Sequence, residues 1–365
     1  MIKFVITDPL YYEAELIKAY ERLTGRVLQP ADPERLIINL IAYAMTITAI
    51  NIDESARQNL LAYAEKDKLD ALAEFYGISR LPAQPAMTTL RFSLSQPQNF
   101  PVIIPQGTRA TADNKVIFAT ATQAVIPEGE SFVDVKGVAT EPGQIGNGYQ
   151  IGQINSLVDP VPYVAAVTNI SISMYGADME SDERFRERLR LSLERFSTAG
   201  PKFAYVFHTK SVHQDIEDVE VFSPQPGVVK IVCILKDGAL PDSTMLETIS
   251  SKVSSEKVRP LTDMVIVSAP QVITYDISMT YYIHKKDEAI RSHIQSSVEK
   301  ALQDFILWTK TKIGRDILPE ELIKRVKDAG AYRVVLTEPA YRRIEIDQVG
   351  HNQNVSINYG GIVED

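Results

Sequence analysis

One cysteine in 365 residues excludes an internal disulfide framework. Cys233 sits within the apolar run Val228–Leu235, which predicts a buried small hydrophobe in a strand. A reactive thiol would need exposure and nearby positive charge. Low cysteine use fits synthesis in the cytoplasm. Histidine is also sparse, at His208, His213, His284, His293 and His351. His208 and His213 are five apart and do not share a helix face as an i, i+4 metal pair would. No second cluster completes a ligand set, so no metal is expected. Basic charge is also short: the formal net charge is -9, with Lys and Arg scattered. Duplex binding is driven by phosphate neutralisation from a basic patch, so nucleic acid is not an expected partner. Met1–Leu10 lacks the basic start and apolar core of a signal peptide. The longest apolar stretch, Leu36–Ile52, is broken by Asn39, Thr46, Thr48 and Asn51. It reads as too polar and too short to span a bilayer, and so as a helix buried in this chain or against a partner, with no direct membrane insertion.

Catalytic signatures are missing as well. The Gly-rich stretch Gln144–Gly152 does not match a dinucleotide-binding fingerprint and reads as turn glycines. There is no P-loop and no nucleophile elbow. Two carboxylate groups stand out: Asp178, Glu180, Asp182 and Glu183, then Asp215, Glu217 and Asp218. The first lies at a helix start, where acids favour the dipole. The second lies in a loop ahead of a strand. Neither is expected to be catalytic, and no catalytic, cofactor-binding or metal residue is assigned. The chain is read as a non-enzyme without cofactors.

What is present is ordinary globular material, 45% apolar and 23% charged, in a length that suits two to four domains. Residues 1–85 read as helical. Leu16, Ile17, Tyr20 and Leu23 have helical spacing, and Gly25 stops that helix. Asp32-Pro33-Glu34 starts a second, with Asp32 placed to cap its amides. A third pattern runs from Leu60 to Tyr76 and stops at Gly77. Residues 86–174 are β-rich, with Leu90, Phe92 and Leu94 on one face and regular Pro and Gly turn signals, as in a small sandwich or barrel. In 175–270, Ser181-Asp182-Glu183 opens a helix to about Phe196 and Gly200-Pro201 breaks and restarts it. A strand pair, Ile216–Phe222 with Val228–Leu235, a helix from Asp242 to about Val258 and a strand at Met264–Val267 follow. In 271–365, a strand over Val272–Ile283, a helix over Asp287–Trp308, a helix start at Leu318-Pro319 and strands at Val334–Thr337 and Arg343–Ile346 are expected. The tail beyond Ile344 is left unassigned. The fold class is α+β multidomain: an N-terminal helical region, a central β-rich sandwich-like domain and C-terminal mixed α/β modules.

Candidate interface residues come from the apolar pattern alone. Leu36, Ile37, Leu40, Ile41, Tyr43, Ala44 and Ile47 surround their helix, which then wants burial on more than one face. Tyr281 and Tyr282 read either as interface anchors, where Tyr is enriched, or as half-buried strand residues. Trp308, at the end of an apolar helix face, reads as core.

Three stretches together carry a resemblance. They are Lys68–Arg80; Ile104-Pro105-Gln106-Gly107-Thr108 through Phe118-Ala119-Thr120 and Pro127-Glu128-Gly129 to Gly143-Gln144-Ile145-Gly146-Asn147; and Gly176–Arg188 followed by Gly200-Pro201-Lys202-Phe203-Ala204-Tyr205. In order and spacing the chain resembles the baseplate J-like proteins of contractile phage tails and related injection particles. The resemblance implies a structural wedge subunit around a central hub. It also implies pairing of copies within a wedge, a smaller wedge partner, contacts with neighbouring wedges and hub or sheath-initiating proteins, and assembly into a virion or phage-tail-like particle. The N-terminal helices would enter a bundle with partners, and the C-terminal domains would make dimer or inter-wedge contacts. Hinges would fall near Leu81–Pro85 and Ser173–Gly176. A baseplate-associated cell-wall glycan hydrolase is the alternative. It requires two carboxylates roughly 5–9.5 Å apart in a cleft.

Overall fold

The computed structural model describes residues 2–193, 202–255, 258–259 and 263–364. The chain separates into two compact units, Met1–Arg80 with Ser181–Arg190 and Leu81–Glu180 with Leu191–Asp365. The fold is α+β and multidomain.

The first unit is helical. Asp8 starts α1 (Pro9–Thr24): its carboxylate accepts from Leu10 N at 2.9 Å, and Pro9 occupies the first turn, where a missing N–H costs nothing. Gly25, at φ 68°, ends α1 and returns its N–H to Glu21. In α2 (Pro33–Arg57) the start is as expected, but Asp32 does not cap it. Its carboxylate instead accepts from Gln29 N at 2.9 Å and pairs with Arg26 at 2.9 Å. One stripe of α2 is buried, formed by Ile38, Ala42, Thr46, Ala49 and Asp53. The small side chains in its middle let α1 approach closely. Asp53 then receives the N–H groups of Phe4 at 2.7 Å and Val5 at 3.4 Å. At 25 residues, α2 is long and apolar enough to cross a membrane by length and composition, which corrects the expectation of a helix too short and polar to do so. Helix α3 (Lys66–Glu74) is shorter than its pattern, because residues 60–64 turn and Lys66 takes φ 47°. The unit is completed from afar in sequence. Helix α4 (Asp182–Leu191) buries Phe185 and Leu189 against Ala64, Leu69 and Ala73.

The second unit begins with β1 (Pro85–Leu94), β2 (Val102–Ile104), β3 (Arg109–Thr111), β4 (Ile117–Thr120), β5 (Ala124–Ile126), β6 (Phe132–Pro142), β7 (Ser156–Leu157) and β8 (Val164–Asn169). A six-stranded antiparallel sheet in the order β7-β3-β4-β6-β1-β8 and a two-stranded β2-β5 sheet enclose one core. The alternation in β1 buries Ala86, Thr88, Leu90, Phe92 and Leu94 on one face, as its sequence requires.

Helix α5 (Lys202–Lys210), β9 (Ile216–Gln225), β10 (Val228–Leu235), α6 (Ser243–Val253) and β11 (Met264–Ser268) form the next layer. β10 pairs antiparallel with β9 and parallel with β11, which α6 connects. Asp242 caps α6 by accepting from Met245 N at 2.8 Å. The helix ends at Val253 rather than near Val258. Cys233 is fully buried in β10, and burial pushes its thiol up to about 12. Gly200-Pro201 lies outside the described residues.

The C-terminal elements are β12 (Gln271–His284), α7 (Arg291–Lys310), α8 (Pro319–Asp328), β13 (Arg333–Glu338) and β14 (Gln348–Val363). β12 is the middle strand, antiparallel to β13 and parallel to β14. Residues 285–290 form 3-10 turns, so α7 starts later than its pattern implies. No strand forms over Arg343–Ile346, where Arg342 instead makes an isolated bridge with Ile317. The unassigned tail is the 16-residue β14. Val232 and Ile234 of β10 share a core with Ile313 and Val349, which joins this sheet to the preceding one. Asp218 adds bonds from Lys312 Nζ at 2.7 Å and Ile313 N at 3.0 Å.

The burial of Cys233 has a direct readout. A disulfide reagent should titrate less than about a tenth of a thiol per chain in native buffer and a full thiol in denaturant, since a protonated, inaccessible sulfur is a poor nucleophile.

Candidate assembly interface

The stretches that carry the family resemblance pair with one another in space. In the second unit, Gly176 N donates to Asn147 Oδ1 and Asn147 Nδ2 donates to Gly176 O, each at 2.7 Å. A Cβ on Gly176 would lie 2.4 Å from the Gly143 carbonyl oxygen, so only glycine fits there. Gln144 N donates to Asp178 Oδ1 at 3.1 Å. Met174 and Met87 exchange backbone bonds at 2.7 and 2.9 Å. Glu180 receives Leu81 N on its carboxylate at 2.9 Å and returns its own N–H to Leu81 O at 3.1 Å. Gln214 donates its side-chain amide to Asp178 O. Asp215 N donates to His213 Nδ1 at 3.1 Å, which leaves Nε2 as the donor to Tyr175 O at 3.2 Å. Leu81 is thus bonded to Glu180, Gln84 to Ala177 and Met87 to Met174 within the second unit, and a boundary between the two compact units falls at Arg80/Leu81, beside the first expected hinge.

In the first unit, the Arg80 guanidinium bridges Asp70 and Asp182, each at 2.8 Å, and stacks 4.9 Å over the Phe185 ring. Asp182 also accepts from Lys66 N at 3.0 Å. Burial alone would raise the Asp182 carboxyl, but the Lys66 N–H and Arg80 outweigh it and hold the group below the usual carboxylate range. Arg186 donates to the Leu61 and Ala64 carbonyls at 2.8 Å each, and Arg188 to Ser79 O at 2.7 Å. The clustered carboxylates Asp178, Glu180, Asp182 and Asp218 thus hold the fold. No metal-binding cluster exists among the described residues.

The open surface lies on α2. Leu36, Leu40, Tyr43, Ile47 and Ile50 follow the 4-3-4-3 spacing of a coiled-coil seam, and the first three are 75%, 68% and 63% exposed. On the other flank, Ile37, Ile41 and Ala44 are also exposed. Ile41, Ala44, Met45, Thr48 and Ile52 line a groove of about 400 Å³ with Val5 and Tyr12. Around α2, then, one stripe is buried and two apolar faces are bare.

The two tyrosines lie elsewhere. Tyr281 is only 4% exposed, in the core beneath α7, so its reading as an interface anchor is withdrawn. It points inward because β12 alternates, with Ile277, Met279, Tyr281 and Ile283 on its core face. Tyr282 is half-buried, with its ring packed on Gly360 and Arg333 5.6 Å over it. The seven α2 residues share one helix. The sequence reading missed the exposed Ile2, Phe4, Ile6 and Leu10 beside that helix. Ile2, Phe4 and Ile6 lie in a short apolar alternation ahead of Asp8 that carried no helical period, and Leu10 lies in the first turn of α1.

Family profiles cover most of the chain: the baseplate J-like N-terminal domain at 31–87, the barrel domain at 89–176, the central domain at 197–269 and the C-terminal domain at 275–358. The chain belongs to the baseplate J-like family. It is 29% identical to "Baseplate protein J" of Escherichia phage P2 over 164 residues, 45% of this chain and 53% of that protein. The alignment thus spans about half of that relative. A cryo-electron microscopy structure of the anti-feeding prophage baseplate matches 94% of this chain and 90% of its own, with 12% identity and a TM-score of 0.45.

Gly176→Ala forces the Gly143 carbonyl aside and should destabilise the second unit by about 1–3 kcal/mol, as backbone strain and lost hydrogen bonds do. Urea unfolding monitored by fluorescence measures this. A second prediction concerns pH. Asp182 has a depressed folded-state pKa, so it contributes stability above the ordinary carboxylate pKa that is lost as pH falls through the folded value. Removing it with Asp182→Asn should flatten the loss of thermal stability below about pH 4.

Proposed function

We propose that this chain is a structural wedge subunit of a contractile tail baseplate, assembled around the central hub and rearranged when sheath contraction is triggered. The observation that carries the reading is the double apolar face of α2 in a chain of this family. A helix hairpin that leaves two seams bare is completed by further helices. A second copy of the chain and a smaller wedge partner would supply them, through Leu36, Ile37, Leu40, Ile41, Tyr43, Ala44 and Ile47. Tyr282 stays a lesser candidate because its ring is already packed. Covering by protein rather than lipid fits the helix better: Asn39 and Asn51 interrupt its surface and Asp53 is buried near its end. Neighbouring wedges and the hub or sheath-initiating proteins would be met by the other domains, with the chain divided as 1–85, 86–174, 175–270 and 271–365. Synthesis in the bacterial cytoplasm would precede incorporation into a virion or phage-tail-like particle.

A non-enzymatic role fits the engagement of Asp182 and Asp218. Asp182 is tied up by Arg80 and Lys66, and Asp218 by Lys312 and Ile313. A glycan hydrolase needs one carboxyl free to give up a proton and another free to attack or activate water.

Leu40→Asp with Ile47→Asp tests the seam. Both positions are exposed, so the stability of the isolated chain should change by no more than about 0.5 kcal/mol per site. Assembly should fail, with loose tubes or no tails in negative-stain images of particles from a strain carrying the variant. Normal contractile tails in that strain would refute the wedge assignment.

A further inference from the structure

Asn147-Gly148 is the one Asn-Gly step in the sequence. Asparagine is thermolabile, and a following glycine has no Cβ to shield its amide nitrogen from the side chain before it. The chemistry at such a step needs no enzyme. Gly148 N gives its proton to water or hydroxide and attacks Asn147 Cγ. A new N–Cγ bond forms, the Cγ–Nδ2 bond breaks and Nδ2 leaves as ammonia. Water then opens the five-membered imide. Cleavage of the new N–Cγ bond gives aspartate. Cleavage between the Asn147 carbonyl carbon and Gly148 N gives isoaspartate, with the chain running through Cγ. One amide and one water are consumed, and one carboxylate and one ammonium are formed.

Both residues are exposed, so water and base reach them. Hydrogen bonds rather than burial restrain the reacting atoms. The nucleophile, the Gly148 N–H, donates to Ser173 O at 2.9 Å. The electrophile, the Asn147 amide, spends Oδ1 on Gly176 N and Nδ2 on Gly176 O, each at 2.7 Å. Asn147 N donates to Gln144 O at 3.0 Å. With ψ at 155°, the Asn147 backbone is extended, and Gly148 N is not eclipsed with Cβ as the five-membered ring requires. Ring closure therefore waits until residues 147–148 leave 173–176. The product cannot return to the same bonds. A carboxylate at 147 has no N–H for Gly176 O and sets an anionic oxygen against that carbonyl. Isoaspartate lengthens the backbone and displaces Gly148 N from Ser173 O. We propose that Asn147-Gly148 is a deamidation site held shut by this clasp, reacting only in chains whose clasp has opened and leaving them unable to close it again. The proposal does not rest on the wedge reading.

The test keeps the full chain in warm, mildly alkaline buffer and reads position 147 by peptide mass spectrometry, with fragmentation to separate aspartate from isoaspartate. In urea above the unfolding transition, Asn147 should convert faster than every other asparagine. In native buffer it should convert at least about tenfold more slowly than in urea, because only the open fraction reacts. Gly176→Ala should raise the native rate at least about fivefold. Should that variant fail to fold, Ser173→Ala carries the comparison. It removes the bond from Tyr149 N to Ser173 Oγ at 2.9 Å and should raise the rate at least about threefold. Asn147→Asp puts the product in place and should lower the urea midpoint. Equal rates in native buffer and urea, no conversion in urea, a folded variant no faster than wild type or an Asn147→Asp chain as stable as wild type would each overturn the proposal.

Discussion

The architecture depends on holding together segments that are remote in sequence. Residues 1–80 and 181–190 form one unit although a β domain of about a hundred residues separates them. Phe185 and Leu189 supply apolar area to the shared core, but area is not directional. Arg80 supplies the direction. Its planar guanidinium meets two carboxylates and an aromatic face at once, from α3 on one side and α4 on the other. A lysine could satisfy the charge but not the two-sided geometry. In the other unit, Asn147 and Gly176 do the same with neutral groups, and there the absence of a side chain at Gly176 is the condition for the fit.

These bonds give the motif residues a purpose that their chemistry alone misstates. Clustered carboxylates and basic side chains in a short stretch look like the materials of a site. Here Asp182 spends its oxygens on Lys66 N and Arg80, while Arg186 and Arg188 satisfy carbonyls in the segments that follow α2 and α3. Those polar groups are engaged in folding, and the apolar faces of α2 stay exposed.

Much of the fold was legible where a local signal settled it. The starts at Asp32-Pro33 and Asp242, the stop at Gly25 and the alternation of β1 each have a short-range cause and appear in place. Tertiary placement was not legible. Tyr281 stayed open between interface anchor and half-buried strand residue because a Tyr-Tyr pair says nothing about which ring faces inward until the core side of β12 is known. β14 was missed because Asn, Gln and Gly dilute its alternation, and its partner β12 lies more than 70 residues away. The bonds between Leu81 and Glu180 and between Met87 and Met174 were not legible for the same reason: Pro and Gly mark turns, but these bonds are long-range. The α2 residues are a different case. Their apolar pattern was visible in the sequence, and the structure adds which stripe is buried by α1 and which faces stay bare.

The central claim is that the bare face of α2 is covered on assembly. Tyr43→Cys places one accessible thiol on that face, and the buried Cys233 leaves the labelling single-sited. Maleimide labelling rates should be compared between the isolated chain and the intact particle. The account predicts rapid labelling of the free chain and at least about tenfold protection in the particle, as exclusion of reagent from a packed seam requires. Equal rates in both would contradict it.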